Sequence, residues 1–246
     1  MGKVTVLTSG TSGIGKAIAL KLIKESQDQE DRFIINYGHN KGAADDMFES
    51  LSASDKKKVS FIKADMSSYE GIDILVNKIK AETGAVDWLV LNTGIGTDQS
   101  FEEYTPKMWE NIMRTNVNVP VFLVKSLKPL MRKNGCILFM GSHAGQEPYS
   151  SSLVYSVSKA AVLFMAKSLV KFFDEDRIRV NAIAPGFIET PWQKNRTDDS
   201  RERINKTIAA HRFGEAEEVA DLSCHVLSNS YLNGSIFDVH GGYNYF

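Results

Sequence analysis

Apolar residues fall along the chain in short, nearly continuous runs of Val, Ile, Leu and Phe: VTVLT (4–8), FIINY (33–37), VSFIKAD (59–65), VDWLVLN (86–92), CILFMGS (136–142), IRVNAIAP (178–185) and SIFDVH (235–240). Runs this short that do not alternate with polar residues predict strands covered on both faces, as in a parallel sheet. Longer stretches stand between them and read as helices: KAIALKLIKES, AADDMFESLSA, GIDILVNKIKAE, PKMWENIMRTNVNVPVFLVKSLKPL, LVYSVSKAAVLFMAKSLVKFF and EAEEVADLSCHVL. Strict alternation of strand and helix implies right-handed crossovers, and hence an α/β fold with an open, doubly wound sheet of seven parallel strands and helices on both faces. No repeat, low-complexity tract or linker divides residues 1–246, so one domain is expected.

Composition changes this picture little. Apolar residues make up 43% and charged residues 24%, ordinary values for a globular chain. A formal net charge of −1 offers no general attraction to nucleic acid or an anionic membrane. The Lys56–Lys58 run precedes a strand and reads as a solvated turn. No apolar run of membrane-spanning length is present, and the first residues, MGKVTVLTSG, lack the features of a signal peptide. Cys136 and Cys224 sit singly in apolar segments and read as buried free thiols. The expectation is a cytoplasmic protein with no metal, no nucleic-acid partner and no membrane partner.

Chemistry enters at TSGTSGIGK (8–16), between the first strand and the first helix. Glycines there bring bare backbone close to a ligand, and the helix N-terminus offers unpaired N–H groups to a pyrophosphate. In a doubly wound sheet, ligands bind at the carboxyl ends of the strands. TSGTSGIG resembles the T-G-x-x-x-G-I-G turn of the short-chain dehydrogenases/reductases. LVLNTG (89–94) is similar to their N-N-A-G segment, APGFIET (184–190) to P-G-x-x-x-T, and HGGY (240–243) to the tail of their last strand. The spacing of Ser142, Tyr155 and Lys159 is also theirs. The nearest look within the family is that of 3-oxoacyl-carrier-protein reductases and related ketone reductases.

The resemblance implies a single Rossmann domain that binds NAD(P) and transfers hydride between it and a ketone or secondary alcohol. It places the cofactor on Ser9, Thr11, Ser12, Gly13, Ile14, Gly15, Tyr37, His39, Asp65, Met66, Asn92, Thr93, Gly94, Tyr155, Lys159, Pro185, Gly186, Ile188 and Thr190. Asp65 would meet the adenine amino group, with capping of the next turn as its alternative role. Thr190 would bond the nicotinamide carboxamide. Asn116, in TNVNVPVF, matches the family's asparagine that holds a proton-relaying water; packing within its helix is the other reading.

Four departures bear on affinity: Ser9 replaces the first glycine, Leu91 an asparagine, Thr93 an alanine and His240 an aspartate. A serine at positive φ costs on the order of 1 kcal/mol, and Gly10 next door is placed to absorb that turn. After the second strand the sequence runs Asn36-Tyr37-Gly38-His39-Asn40-Lys41, without the acid that would repel a 2′-phosphate. NADP(H) is therefore favoured and NAD(H) is the alternative; His39 and Lys41 are in reach of a phosphate, with solvation of the loop as their other reading.

Tyr155 and Lys159 lie four apart on a helical pattern, so they share one face, and Ser142 ends the strand before them. Tyr37 and Lys41 have the same spacing but stand in a loop with no serine upstream in the right place. Hydride reduction of a ketone needs a proton, and a phenol with a pKa near 10 is a poor partner at neutral pH. An ammonium about 5 Å away, at an effective dielectric near 20, favours the phenolate by roughly 3 kcal/mol, or about two pKa units. The positive nicotinamide of the oxidised cofactor would push the same way and burial opposes both; a net shift toward about 7–8 is the expectation. Ser142 would hold the substrate oxygen. The catalytic set is thus Asn116, Ser142, Tyr155 and Lys159.

Specificity is expected in three loops, 95–104, 143–153 and 187–213, the last polar and charged like a substrate lid. Phe187, Trp192 and Phe213 would supply apolar walls, and His143 either touches substrate or is structural. The helices at 106–130 and 153–173 carry more apolar surface than one sheet face needs, which predicts a homodimer or homotetramer. The competing reading is a non-catalytic dinucleotide-sensing protein on the same fold.

Overall fold

The computed structural model of the chain describes residues 2–148 and 152–243. Its elements, in chain order, are β1 (Val4–Leu7), α1 (Gly13–Glu25), β2 (Arg32–Tyr37), α2 (Lys41–Ser50), α3 (Ala53–Lys56), β3 (Val59–Lys63), α4 (Tyr69–Glu82), β4 (Val86–Leu91), α5 (Pro106–Met113), α6 (Val119–Leu127), β5 (Met131–Met140), α7 (Leu153–Leu169), β6 (Arg179–Pro185), β7 (Ile188–Glu189), α8 (Asp198–Lys206), β8 (Gly214–Glu215), α9 (Ala216–Ser228) and β9 (Ile236–Val239). Seven strands form one sheet in the order β3-β2-β1-β4-β5-β6-β9, every neighbour parallel. The order reverses at β1 and β4, which opens a crevice at their carboxyl ends.

The continuous apolar runs are resolved by the two-residue period of a strand. Val4 and Val6, Leu89 and Leu91, and Ile137 and Phe139 face α4, α6 and α7. Leu7, Val90, Leu138 and Met140 face α1 and α9. Each such side chain, fully buried, stabilises the fold by about 1.5–3 kcal/mol.

Four local features depart from the sequence reading. The single helix expected over 106–130 is two helices joined by a π turn at Arg114–Asn118, where Val119 N–H donates to the Arg114 carbonyl. Pro120 is the cause, because it lacks the N–H that would reach the Asn116 carbonyl one turn back. Lys58 is buried, unlike the other two lysines of its run, and its ammonium donates to the Ser26 carbonyl at 3.3 Å and hydroxyl at 3.1 Å. The strand read as 136–142 begins at Met131. Finally, β7 and β8 pair Ile188 with Gly214 and Glu189 with Glu215, which ties together the two ends of the 187–213 segment. That segment carries α8 and a small apolar cluster of its own, made by Ile204, Ile208, Phe213 and Tyr243 with Phe187 against it.

Residues 153–172 form a helical stretch long and apolar enough to cross a membrane by composition, with mean hydropathy 1.5. Val154, Val162, Leu163 and Ala166 of this stretch pack into the core. Leu153, Val157, Phe164 and Phe172 face outward. Cys136 and Cys224 are buried and unpaired.

Candidate active site

The strand β1 runs into a turn that begins at Thr8, and Ser9 within it takes the left-handed conformation, φ 51°. Gly10 does not absorb the turn. Its lack of a side chain answers a packing need instead, since a Cβ there would fall 2.5 Å from Leu7 and 2.6 Å from Ile35. The strained turn is held by its neighbours. Ser9 N–H donates to Asn36 Oδ1 at 3.2 Å, and the hydroxyls of Ser9 and Thr93 meet at 2.7 Å. Asn92 Nδ2 donates to the Ser9 carbonyl at 3.1 Å, while Thr8 Oγ1 accepts from the N–H groups of Asn92 and Thr93 at 3.0 and 3.2 Å. Ser12 caps α1 by position but makes no side-chain bond there, and no acid stands in the first helical turn. The orphan N–H groups of that turn are thus open to an anion. A Cβ on Gly15 would lie 2.4 Å from the Ser9 carbonyl oxygen, so only bare backbone fits between helix and turn.

Above this turn lies a cavity of about 960 Å³. Ser9, Ser12, Gly13, Ile14, Asn92, Gly94, Ser142, Tyr155, Lys159, Pro185, Gly186, Ile188 and Thr190 line it, so most of the residues named from sequence converge on one space. Thr11, Gly15, Tyr37, His39, Asp65, Met66, Thr93 and Asn116 do not line it. Thr11, Tyr37 and Met66 are buried, and Thr93 is part of the turn's bracing. Asp65 closes its own turn by accepting from Ser67 N–H at 2.9 Å, whereas the cap of α4 is the Ser68 hydroxyl. Burial alone would raise the Asp65 carboxyl, but the Ser67 bonds, with His39 and Arg114 nearby, bring it below its ordinary value. The His39 ring nitrogen lies 3.7 Å from that carboxylate. Lys41 is spent on Asp45 at 2.6 Å, and that pairing raises its pKa.

Ser142 and the Tyr155–Lys159 pair reach the cavity from consecutive elements. Ser142 follows β5 and caps the short turn 143–145, its hydroxyl accepting from Ala144 N–H at 3.2 Å. One turn of α7 separates Tyr155 from Lys159, and the ammonium lies 5.7 Å from the phenol ring centre. Lys159 is buried and donates to the Met140 carbonyl at 2.8 Å. Burial pushes Lys159 down to about 8 and Tyr155 up, the hydrogen bond with Ser142 acting against the rise. The expected lowering of the phenol toward 7–8 is therefore not what this arrangement gives: dense surroundings disfavour charge on both groups and outweigh their mutual attraction.

Asn116 stands behind this wall. Its Oδ1 accepts from Ile95 N–H and its Nδ2 donates to the Ile95 carbonyl, both at 2.8 Å, and to Ser158 Oγ at 2.9 Å. Ser158 in turn donates to the Tyr155 carbonyl at 2.7 Å. Asn116 thus links the 92–96 loop to the helix that carries the phenol. It lies within the π turn, which was absent from the sequence reading. Reasoning from sequence also missed Thr8, Asn36 and Ser158 as bracing groups; a fully buried asparagine within an apolar strand was the signal for Asn36.

Around the cavity mouth, Phe187 and Trp192 form walls as expected, and the Trp192 ring lies 5.9 Å from that of Tyr155. Phe213 packs behind Phe187 at 5.6 Å rather than lining the space. His143 does not reach it either: it is buried with its ring stacked 4.2 Å from His240. The departure at His240 thus belongs to a packed histidine pair, and burial followed by the charge of His240 lowers the pKa of His143. Ring nitrogens of both and a carboxylate oxygen of Asp238 lie within 4.8 Å of one another. His240 Nδ1 already accepts from Tyr243 N–H at 3.1 Å. Of the 143–153 loop, residues 149–151 lie outside the described residues.

Comparison with known proteins agrees with this geometry. Residues 3–201 match the family model described as short chain dehydrogenase. The chain is 32% identical to the 3-oxoacyl-[acyl-carrier-protein] reductase of Chlamydia muridarum, over 98% of this chain and 97% of that one. It is also 32% identical to glucose 1-dehydrogenase 2 of Bacillus subtilis, over 98% and 94%. Among solved structures, the Pseudomonas aeruginosa RhlG/NADP active-site complex superposes with a TM-score of 0.90 at 27% identity, covering 99% of this chain and 96% of that one. A blue fluorescent protein from a metagenomic library, in complex with NADPH, gives 0.90 at 25% identity, over 98% and 97%. The chain belongs to the short chain dehydrogenase family and is an NAD(P)-dependent oxidoreductase.

Proposed function

We propose that this protein reduces a ketone to a secondary alcohol, reversibly, with NADP(H) as its preferred cofactor and Tyr155 as the proton donor. One observation carries the reading: Ser142, Tyr155 and Lys159 open onto the same cavity as the glycine turn and the uncapped start of α1. The fit for a dinucleotide is specific in its chemistry. Backbone donors and glycines, with no acid in the first turn, suit a pyrophosphate, and a Cβ on Gly94 would come within 3.1 Å of the Lys159 ammonium. Ser9, Ser12, Gly13 and Ile14 would hold the phosphates, with Asn92, Gly94, Pro185, Gly186, Ile188 and Thr190 around the nicotinamide. A nicotinamide dinucleotide bound there supplies the hydride.

The chain's own groups do the rest. Ser142 donates a hydrogen bond to the substrate oxygen, and Tyr155 delivers a proton to it as negative charge builds. With its pKa raised, Tyr155 keeps that proton at neutral pH, which suits reduction. Lys159, anchored on the Met140 carbonyl, supplies positive charge beside the phenol, and Asn116 positions both through Ile95 and Ser158. The NADP(H) preference rests on the absence of an acid after β2 and on open space around Gly38, where a Cβ would meet nothing within 4 Å. His39 is the group left to meet a 2′-phosphate, since Lys41 is engaged with Asp45.

The 187–213 segment, clamped at its base by β7 and β8, acts as the substrate lid. The outward row Leu153, Val157 and Phe164 of α7, with Phe122 of α6, is the surface on which a second copy would pack to form a dimer or tetramer. Two buried free thiols suit a reducing, cytoplasmic location. The test is oxidation of NADPH and NADH, followed by absorbance, across ketones, diketones, oxo-sugars and 3-oxoacyl thioesters. Turnover with at least one carbonyl, faster with NADPH and lost in Tyr155→Phe, is the expected result. Tight cofactor binding with no turnover of any of them overturns it.

A further inference from the structure

Four arginines lie on or beside the lid, and they divide into two kinds. Arg201 makes a two-point ion pair with Glu189 at 2.6 and 3.0 Å, and Arg212 does the same with Glu218 at 2.8 Å for both bonds. Arg196 and Arg203 have no carboxylate partner among the described residues, and these are the two that line the cavity. Arg196 is nonetheless held in place. Its Nε donates to Gln193 Oε1 at 2.8 Å, one terminal nitrogen reaches Ser200 Oγ at 3.3 Å, and its guanidinium lies 5.3 Å from the centre of the Phe187 ring. Gln193 is itself buried and follows Trp192, which packs on Tyr155. The Arg203 side chain makes no hydrogen bond among the described residues. The acids of α8, Asp198 and Asp199, sit in its first turn, where they suit the helix dipole. The lining residues therefore include three cations, Lys159, Arg196 and Arg203, against one carboxylate, Asp98.

A guanidinium fixed by its Nε edge and stacked on an aromatic ring presents its remaining N–H groups in a fork that matches a carboxylate or phosphate. Its location separates this fork from the cofactor. Gly13 of the phosphate turn abuts Thr190 and Pro191, whereas Arg196 lies over Phe187, on the lid's own cluster with Phe213 and Tyr243. We propose that Arg196 and Arg203 form an anion-binding subsite on the substrate side of the cavity, so that the carbonyl substrate of this enzyme carries a carboxylate or a phosphate group. The inference rests on the reductase reading above and names the substrate class of that same site.

The experiment compares matched pairs in the presence of NADPH: acetoacetate with its ethyl ester, and dihydroxyacetone phosphate with dihydroxyacetone. The charged member of one pair should have a KM lower by about tenfold, the scale of one charge-assisted hydrogen bond, and which pair shows it separates carboxylate from phosphate. Arg196→Gln and Arg203→Gln should each raise the KM for the charged compound by about tenfold, leaving the neutral partner and the NADPH Kd unchanged; Arg196→Lys should recover part of the loss. Arg212→Gln, which removes a lid arginine outside the cavity, should change none of these. Equal KM values within both pairs overturn the subsite while leaving the reductase intact. A raised NADPH Kd in the arginine variants overturns it as well, by assigning them to the cofactor. Failure to turn over any carbonyl removes the reductase reading itself, and the subsite with it.

Discussion

The cavity has two walls built on opposite terms. On the sheet side, polar groups are bonded to one another by the chain: Ser9 to Asn36 and Thr93, Asn92 to Ser9, Thr8 to the 92–93 backbone, Asn116 to Ile95 and Ser158. On the lid side, Arg196 and Arg203 keep side-chain N–H groups without acceptors among the described residues, and Trp192 is 58% exposed. Apart from the open N–H groups at the start of α1, the sheet side is braced and set before any ligand arrives, whereas the lid side has charge left for one. The difference is the one expected if, as proposed, proton transfer belongs to the sheet edge and substrate choice to the lid.

The sharpest test of that division removes one atom from the set wall. Tyr155→Phe deletes the proposed proton donor without altering the ring that packs on Trp192, so turnover should fall by about a thousandfold or more while NADPH binding is unchanged. Stopped-flow turnover together with a direct binding measurement checks it. Loss of cofactor affinity in step with turnover would mean that the phenol braces the site rather than acting in it.

Next in size is the contrast between two glycines. A methyl group at Gly15 would lie 2.4 Å from the Ser9 carbonyl oxygen and 2.5 Å from Asn92 Nδ2, both fixed. At Gly96 the closest atom, at 3.1 Å, belongs to the largely exposed ring of Trp192. Gly15→Ala should therefore destabilise the fold by about 3 kcal/mol and weaken cofactor binding, while Gly96→Ala should cost less than about 0.5 kcal/mol. Chemical denaturation of both variants decides it; equal effects would erase the distinction between the walls.

The set wall was also the legible one. Ser142, Tyr155, Lys159 and the glycine turn are recognised by spacing within a few residues, and the sheet that gathers them follows from runs that a strand's two-residue period explains. What was not legible depends on contacts between distant segments. Strands β7 and β8 are two residues each, too short for any pattern. The break at Pro120 was written in the sequence but masked by the apolar residues around it. The sense of Lys58, which leaves its basic run to bond Ser26, and of the His143–His240 stack exists only once the strands are assembled. The same holds for Tyr155: a neighbouring ammonium can be read from i to i+4 spacing, but the burial that outweighs it cannot.

That burial has a measurable consequence for Lys159. Its pKa falls from 10.5 to about 8 in the folded protein. Below about pH 8 both states carry the charge and the folded state bears the full penalty, roughly 3 kcal/mol. Between about 8 and 10.5 the unfolded chain holds a proton that the folded chain has released, so stability rises with pH across that window. Lys159→Met removes the penalty and also the bond to Met140, worth about 1 kcal/mol. The variant should thus be inactive, yet more stable than the parent by about 2 kcal/mol at pH 7, the gap closing toward pH 10.5. Thermal melts of both proteins from pH 7 to 10.5 test the sign; a gap that widens with pH would refute it.

The smallest effect probes the one strained point in the set wall. Ser9 sits at φ 51°, a conformation costing a side-chain-bearing residue about 1 kcal/mol, and its hydroxyl bond to Thr93 at 2.7 Å returns about as much. Ser9→Gly relieves the strain and loses the bond, so its stability should lie within about 1 kcal/mol of the parent. Ser9→Ala keeps the strain and loses the bond, and should be the less stable of the two variants by about 1 kcal/mol. Thr93→Val should be destabilising alone but nearly neutral in the Ser9→Gly background, because the partner has already gone. Urea titrations of the parent, these three single variants and the Ser9→Gly/Thr93→Val double variant decide it. If Ser9→Ala proves as stable as Ser9→Gly, the turn is not strained at this residue, and the serine is there for its hydroxyl alone.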